Sequence, residues 1–232
     1  MATDLGVILA GAGEGRRMDG AGPKLLLELA GRTLLERAAL AFLRHPDVAR
    51  VVAVVPEALA DRARAAVGVG AAPGRVVVVP GGPTRQASVR LGLEALGDGV
   101  AFVAVHDVAR PLVTAALVGR VLAAARAHGA AIPALPIRDT VKEVRDGRVV
   151  RSVPRAGLEG AQTPQIFARA ILARAHEAAG ARADATDDAA LVEAIGLPVA
   201  VVPGEPSNVK ITDPTDLVTA EALLLHGFGE RD

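Results

Sequence analysis

Along the chain, short runs dense in Val, Ile, Leu and Ala alternate with longer stretches in which apolar residues return at helical spacing. The runs fall at Leu5–Ala10, Val51–Val55, Arg75–Val79, Val100–Val105, Ala130–Leu135 and Val199–Val202, and several close in Pro or Gly. Between them, Thr33–Leu43, Glu57–Val67, Thr84–Leu96, Thr114–His128 and Ile166–Ala179 are predicted as helices. Thr33 with Glu36 three residues on reads as a capping box that satisfies the first free N–H groups. Near-continuous apolar runs suit strands buried on both faces. Repetition of strand, helix and strand predicts an α/β, Rossmann-like fold: a mostly parallel sheet with helices on both faces. Ligands of such sheets bind beyond the carboxyl ends of the strands.

One segment breaks the alternation. "RDTVKEVRDGRVVRSV", Arg138 to Val153, reads as two strands around the hairpin signal Asp146-Gly147. Its charged residues leave it little apolar surface of its own. Either it projects into solvent, or it lies on a partner, of which a second copy of the chain is the simplest.

Composition narrows the picture. Half of the 232 residues are hydrophobic but only 2% are aromatic, so the core must be built from Val, Leu, Ile and Ala. With no cysteine there is neither disulfide nor thiolate chemistry, which suits a reducing, cytoplasmic setting. A formal net charge of zero gives no global field toward nucleic acid or anionic lipid, so neither is expected as a partner and any anion site must be local. No apolar stretch approaches the ~20 residues of a membrane span. Asp4 before the first apolar run, with no basic segment, argues against a secretory signal.

The candidate chemistry begins where the first run ends, at "GAGEGRRMDGAGPK", Gly11 to Lys24. It is not a dinucleotide fingerprint, because Arg16 stands where the third glycine would be, and no register supplies a P-loop. What remains is a loop in which Gly11, Gly13 and Gly15 let backbone N–H groups approach phosphate oxygens, while Arg16, Arg17 and Lys24 add charge and Pro23 stiffens the approach to Lys24. A flexible turn with solvated basic residues is the bland alternative.

That loop, with "HPDVARVVAVVPE", "PGGPTRQASVRLGL", "VAVHDVARP", "PIRDTVK", "AGLEGAQTPQIF", "ATDDAALVEAIG" and "NVKITDPTDL" in order, resembles the 2-C-methyl-D-erythritol 4-phosphate cytidylyltransferases over nearly the whole chain. The resemblance implies one nucleotidyltransferase domain over residues 1–232, with 137–153 as an arm that crosses to the other subunit of a homodimer. It implies attack of the methylerythritol phosphate oxygen on the α-phosphorus of CTP, with pyrophosphate leaving. Two polyanions must meet, so fixed cations and positioning should outweigh acid–base chemistry.

In that scheme Arg17 and Lys24 would stabilise the transition state, and Arg155 and Lys210 would hold the substrate phosphate in line. Lys210 is expected on an alternating Val-Lys-Ile strand. Thr140 would bond the same phosphate, and with Arg155 would serve the neighbouring subunit's site. Gly11, Ala12, Gly13 and Gly15 would line the nucleotide, and Gly82 and Ser88 resemble the cytosine-reading segment. Asp107 would meet Mg2+, or another divalent cation, or the CTP ribose and phosphates; its bland reading is a helix cap or a salt bridge to Arg110. Ser88 could equally bond its own helix backbone. Thr163 and Thr186 fall in substrate segments, His106 is expected to be structural, and Asp213, Pro214 and Asp216 to start a helix. Glu14, Pro83 and Thr84 depart from the family's usual residues.

Two rivals remain at this point: a ribitol 5-phosphate cytidylyltransferase of the same fold, and a non-catalytic CTP-binding regulatory module. At this length the chain is expected to lack a fused cyclase.

Overall fold

The computed structural model describes residues 3–13, 23–68, 74–180 and 185–229. In chain order the strands are β1 (Leu5–Ala10), β2 (Glu28–Leu29), β3 (Arg32–Thr33), β4 (Val48–Val55), β5 (Val76–Pro80), β6 (Phe102–Asp107), β7 (Ala130–Pro136), β8 (Val141–Arg145), β9 (Arg148–Val153), β10 (Glu159–Ala161), β11 (Gln165–Ala168) and β12 (Ala200–Pro203). The helices are α1 (Leu34–Leu43), α2 (Ala60–Val67), α3 (Arg85–Leu96), α4 (Ala115–His128), α5 (Arg169–Ala179), α6 (Asp188–Ala194) and α7 (Pro214–Leu225).

Eight of these strands form one sheet, ordered β10-β7-β11-β6-β1-β4-β5 with β12 beside β7. β6, β1, β4 and β5 run parallel, whereas β11 lies antiparallel between β6 and β7. Leu5, Val7, Ile8 and Leu9 of the central strand are fully buried, as a strand with helices on both faces must be. On one face α1, α2 and α4 cover the sheet with Leu35, Phe42, Ala63, Leu117 and Val121; on the other α3, α5 and α6 cover it with Val89, Leu93, Leu172 and Val192. The missing side chain at Gly92 lets α3 come close: a Cβ there would stand 2.6 Å from Ile8 Cγ2.

Of the capping box expected at α1 the Thr33 half is present, its Oγ1 accepting from the Glu36 N–H at 3.1 Å, while the Glu36 carboxylate lies 3.5 Å from Arg32 Nε. The start of α7 also holds: Asp213 caps the helix, and the Asp216 side chain returns to the Asp213 N–H. The hairpin forms as β8 and β9, with Asp146 at φ 48° and Gly147 at φ 73°, the pair of positive values a tight two-residue turn needs.

Two expectations need correction. The helix expected over Ile166–Ala179 starts only at Arg169, because Ile166 and Phe167 are fully buried as part of β11. Lys210 is not on a strand but in an irregular segment between β12 and α7. α6 was not among the predicted elements, although its N-cap Asp187 follows the usual chemistry, accepting from the Ala190 N–H at 2.9 Å.

Candidate active site

The parallel strands β1, β4, β5 and β6 end on one edge of the sheet, and there a cleft of about 710 Å³ opens. Its floor is backbone. The Gly11 N–H donates to Val54 O at 2.9 Å, and a Cβ on Gly11 would meet Val54 O and Val108 Cγ2 at 3.2 Å. Opposite, a Cβ on Gly81 would stand 2.4 Å from Ala12 Cβ, so the two loops touch only because Gly81 is bare. Ser88 braces this second loop. Its hydroxyl donates to Thr84 O at 2.9 Å and accepts from the Gly82 N–H at 3.1 Å. Buried in this way, Ser88 ties Gly82 to the start of α3 at the cleft.

Asp107, the last residue of β6, carries the central negative charge. Lys210 Nζ lies 2.7 Å from its Oδ2 and Arg85 Nε 3.8 Å from its Oδ1. Burial by itself would raise the carboxyl pKa, but Lys210 and then Arg85 outweigh it, and the net shift is downward, so the group is ionised. Its bland reading placed it on Arg110 or at a helix cap; its closest cations are instead Lys210 and Arg85. Arg110 donates through Nη1 to Asn208 O at 2.7 Å, and the Ile211 N–H reaches Ala109 O at 2.8 Å. With Asn208 and Ile211 fully buried, these bonds fix the irregular segment on either side of Lys210 and present its ammonium to Asp107.

Beneath the cleft, Thr163 Oγ1 accepts from the Asp107 N–H at 3.1 Å and lies 3.0 Å from His106 Nδ1. His106 Nε2 lies 3.0 Å from Arg110 O. A carbonyl can only accept, so Nε2 carries the proton and Nδ1 accepts from the threonine hydroxyl. Complete burial lowers the His106 pKa to about 4, which keeps the ring neutral. Lys24 enters from the other side: Pro23 precedes the short turn Lys24–Leu26, and the buried Leu25 pins that turn to the core with Lys24 at the rim.

The chain as a whole resembles known proteins. The family model for IspD, 2-C-methyl-D-erythritol 4-phosphate cytidylyltransferase, covers residues 5–226. The chain belongs to this family. The enzyme of that name from Frankia casuarinae is 46% identical over 219 residues, 94% of this chain and 80% of that one. The one from Thermus thermophilus is 46% identical over 221 residues, covering 95% and 97% of the two chains. A crystal structure of the Thermus thermophilus enzyme superimposes with a TM-score of 0.78 over 95% of this chain and 98% of that one, at 43% identity. A bifunctional IspD/IspF enzyme from Nitrobacter winogradskyi is 44% identical over 244 residues, of which this chain spans 60% of the length.

Against the IspD expectations, the cleft brings together Gly11, Ala12, Gly13, Lys24, Gly82, Ser88, Asp107, Thr163, Thr186 and Lys210. Gly15 and Arg17, with Arg16 and Glu14, lie outside the described residues. Thr140 and Arg155 are exposed beside the hairpin and do not line this cleft. Among the cleft residues to which the sequence reading gave no role is Arg85, which pairs with the buried Asp188; Arg110 entered that reading only as a bland partner of Asp107. Arg85 did leave a signal. A cation on the first residue of a helix opposes the helix dipole and calls for nearby anions.

Proposed function

We propose that the chain transfers CMP from CTP to 2-C-methyl-D-erythritol 4-phosphate, releasing pyrophosphate and forming the 4-diphosphocytidyl product. The observation that carries the site assignment is the meeting of Lys24, Lys210 and Asp107 around a backbone-floored cleft at the strands' carboxyl ends. The triphosphate lies along the backbone at Gly11, Ala12 and Gly13, with Lys24 on its charge; Arg17, outside the described residues, would share that role by family resemblance. The base lies toward Gly82, held by Ser88. An oxygen of the substrate phosphate attacks the α-phosphorus, one P–O bond forms, and the bond to the pyrophosphate oxygen breaks. The nucleophile is already an anion, so no side chain need remove a proton, which agrees with a neutral His106 walled in by Thr163 and Arg110.

Lys210 positions the attacking phosphate. Arg155 and Thr140 come from a second copy of the chain through the arm 137–153, which explains why they stand exposed and away from their own cleft. On this reading the protein works as a homodimer, and its lack of cysteine supports a cytoplasmic setting. Among the described residues no helix is long and apolar enough to cross a membrane.

A divalent cation such as Mg2+ fits the site in a limited way. Among the described residues no group of three or more His, Cys, Asp or Glu side chains could hold one, so a cleft carboxylate such as Asp107 would offer one ligand and phosphate oxygens would complete the shell. Bound there, the cation would neutralise charge on the phosphates.

The test is pyrophosphate release from CTP and Mg2+ with methylerythritol 4-phosphate or ribitol 5-phosphate. Release with the first alone is expected. Release only with the second would reassign the substrate, and CTP binding without release from either would make the protein a nucleotide-binding module.

A further inference from the structure

Asp188 is a fully buried carboxylate at the start of α6, and an ionised carboxylate without partners is costly to bury. Its Oδ2 lies 2.7 Å from Arg85 Nη1, and its Oδ1 3.1 Å from His176 Nε2. The Asp188 backbone is tied down as well. Its N–H and that of Ala189 both donate to Gln165 Oε1, at 3.2 and 3.1 Å, while Gln165 Nε2 donates to Asp187 Oδ2 at 2.7 Å. Asp188 is therefore a fixed point joining β11, α5 and α6.

Arg85 sits on that point and faces the cleft. It occupies the first residue of α3, where a positive charge opposes the helix dipole, so its placement depends on the surrounding carboxylates. Its side chain is one-third exposed, and its Nε lies 3.8 Å from Asp107 Oδ1, while Lys210 takes the other oxygen, Oδ2, at 2.7 Å. The four groups make a line of alternating charge: Asp188, Arg85, Asp107, Lys210.

The geometry points to Arg85 as a positioning residue that, anchored on buried Asp188, orients the Asp107 carboxylate and through it the Lys210 ammonium for the incoming phosphate. This rests on the reading of the cleft given above. A guanidinium can address two carboxylates at once, which a compact ammonium does poorly. Countered from behind by Arg85, Asp107 aligns Lys210 without capturing it, and the phosphate can draw the ammonium away.

A purely structural tie would change stability and leave turnover alone, so the test separates the two. Arg85→Gln alone would strand the buried Asp188 charge. The variant of choice is Arg85→Gln with Asp188→Asn, which leaves a neutral hydrogen-bonding pair in the same space. Its thermal melt, kcat and KM are measured beside wild type, Lys210→Ala and the triple combination. The expected result is a folded protein whose kcat falls about 10- to 100-fold with KM for CTP changed less than about threefold, because misplacement acts on the reacting geometry. Combined with Lys210→Ala, the pair should add less than about twofold, since both act through one ammonium.

A folded double variant with wild-type kcat would overturn the proposal. So would a rise in KM alone, which would make Arg85 a direct nucleotide contact, or losses that multiply in full with Lys210→Ala. Should the double variant not fold, Asp188→Asn alone, which loosens the anchor but keeps the arginine, carries the same expectations. Silence of the wild type on methylerythritol phosphate would strike the function reading instead.

Discussion

His106 and Lys24 show how different two charged-type residues at one cleft can be. His106 is buried among Phe42, Thr163 and Arg110, with its pKa lowered to about 4 by loss of solvent, against 6.5 in the open. Above about pH 6.5 both folded and unfolded chains hold it neutral, and the fold keeps its full stability. As pH falls toward 4, the unfolded chain takes up a proton that the folded one refuses, so stability drops by about 3 kcal/mol across that window. Melting temperatures of the protein alone between pH 7 and 5 should therefore fall, and His106→Gln should flatten the slope. Lys24, at the rim of the cleft, is proposed to work on the reaction instead. Lys24→Ala should lower kcat about a hundredfold or more, as loss of one transition-state donor does, with little change in the urea midpoint; turnover and unfolding measured on the same sample check both. The glycines and Lys24 could be read from the sequence because bare backbone and fixed charge are local signals. Arg85 and Arg110 could not be assigned in that way, since their roles depend on Asp188 and Asn208, which lie about a hundred residues away along the chain.

At the scale of elements, the parallel strands were legible because burial on both faces leaves nothing but aliphatic residues in them. β11 was not. Ile166 and Phe167 sit next to a long helical pattern, and a two-residue apolar run cannot by itself reveal that it inserts antiparallel between β6 and β7. Lys210 looked like a strand residue because Val209 and Ile211 flank it with alternating polarity, yet Ile211 is buried by an isolated bond to Ala109 rather than by a ladder. Packing at α3 gives a sharp test. Gly92→Ala would gain up to about 1 kcal/mol in helix propensity. Its new Cβ would stand 2.6 Å from Ile8 Cγ2 and 3.0 Å from Val54 Cγ2, both in buried strands, and overpacking of that kind costs about 1–3 kcal/mol. The packing should win, so the variant's urea midpoint is expected to fall.

For the whole molecule, the hairpin is the telling part. Among the described residues β8 and β9 pair only with each other, and Val144, Val149 and Val150 are more than half exposed. A second copy lying on them would cover those valines and bring Arg155 and Thr140 to a neighbour's cleft. Lys24→Ala and Arg155→Ala homodimers should each be nearly inactive. After subunit exchange, mixed dimers hold one cleft with both residues intact, so an equal mixture should recover about a quarter of wild-type turnover. No recovery despite exchange would mean that each chain builds its own site. The Asp-Gly turn and polar strands made the arm visible in the sequence; its polar pattern already offered a second copy as the simplest partner, and the family resemblance implied the homodimer.

The bond that forms is the most direct thing to observe. Phosphorus NMR of the protein with CTP, Mg2+ and methylerythritol 4-phosphate should show the substrate's monoester signal replaced by a coupled pair from a new diphosphate bridge, with pyrophosphate in equal amount. An unchanged monoester signal beside intact CTP, or a coupled pair appearing only with ribitol 5-phosphate, would contradict the proposed transfer.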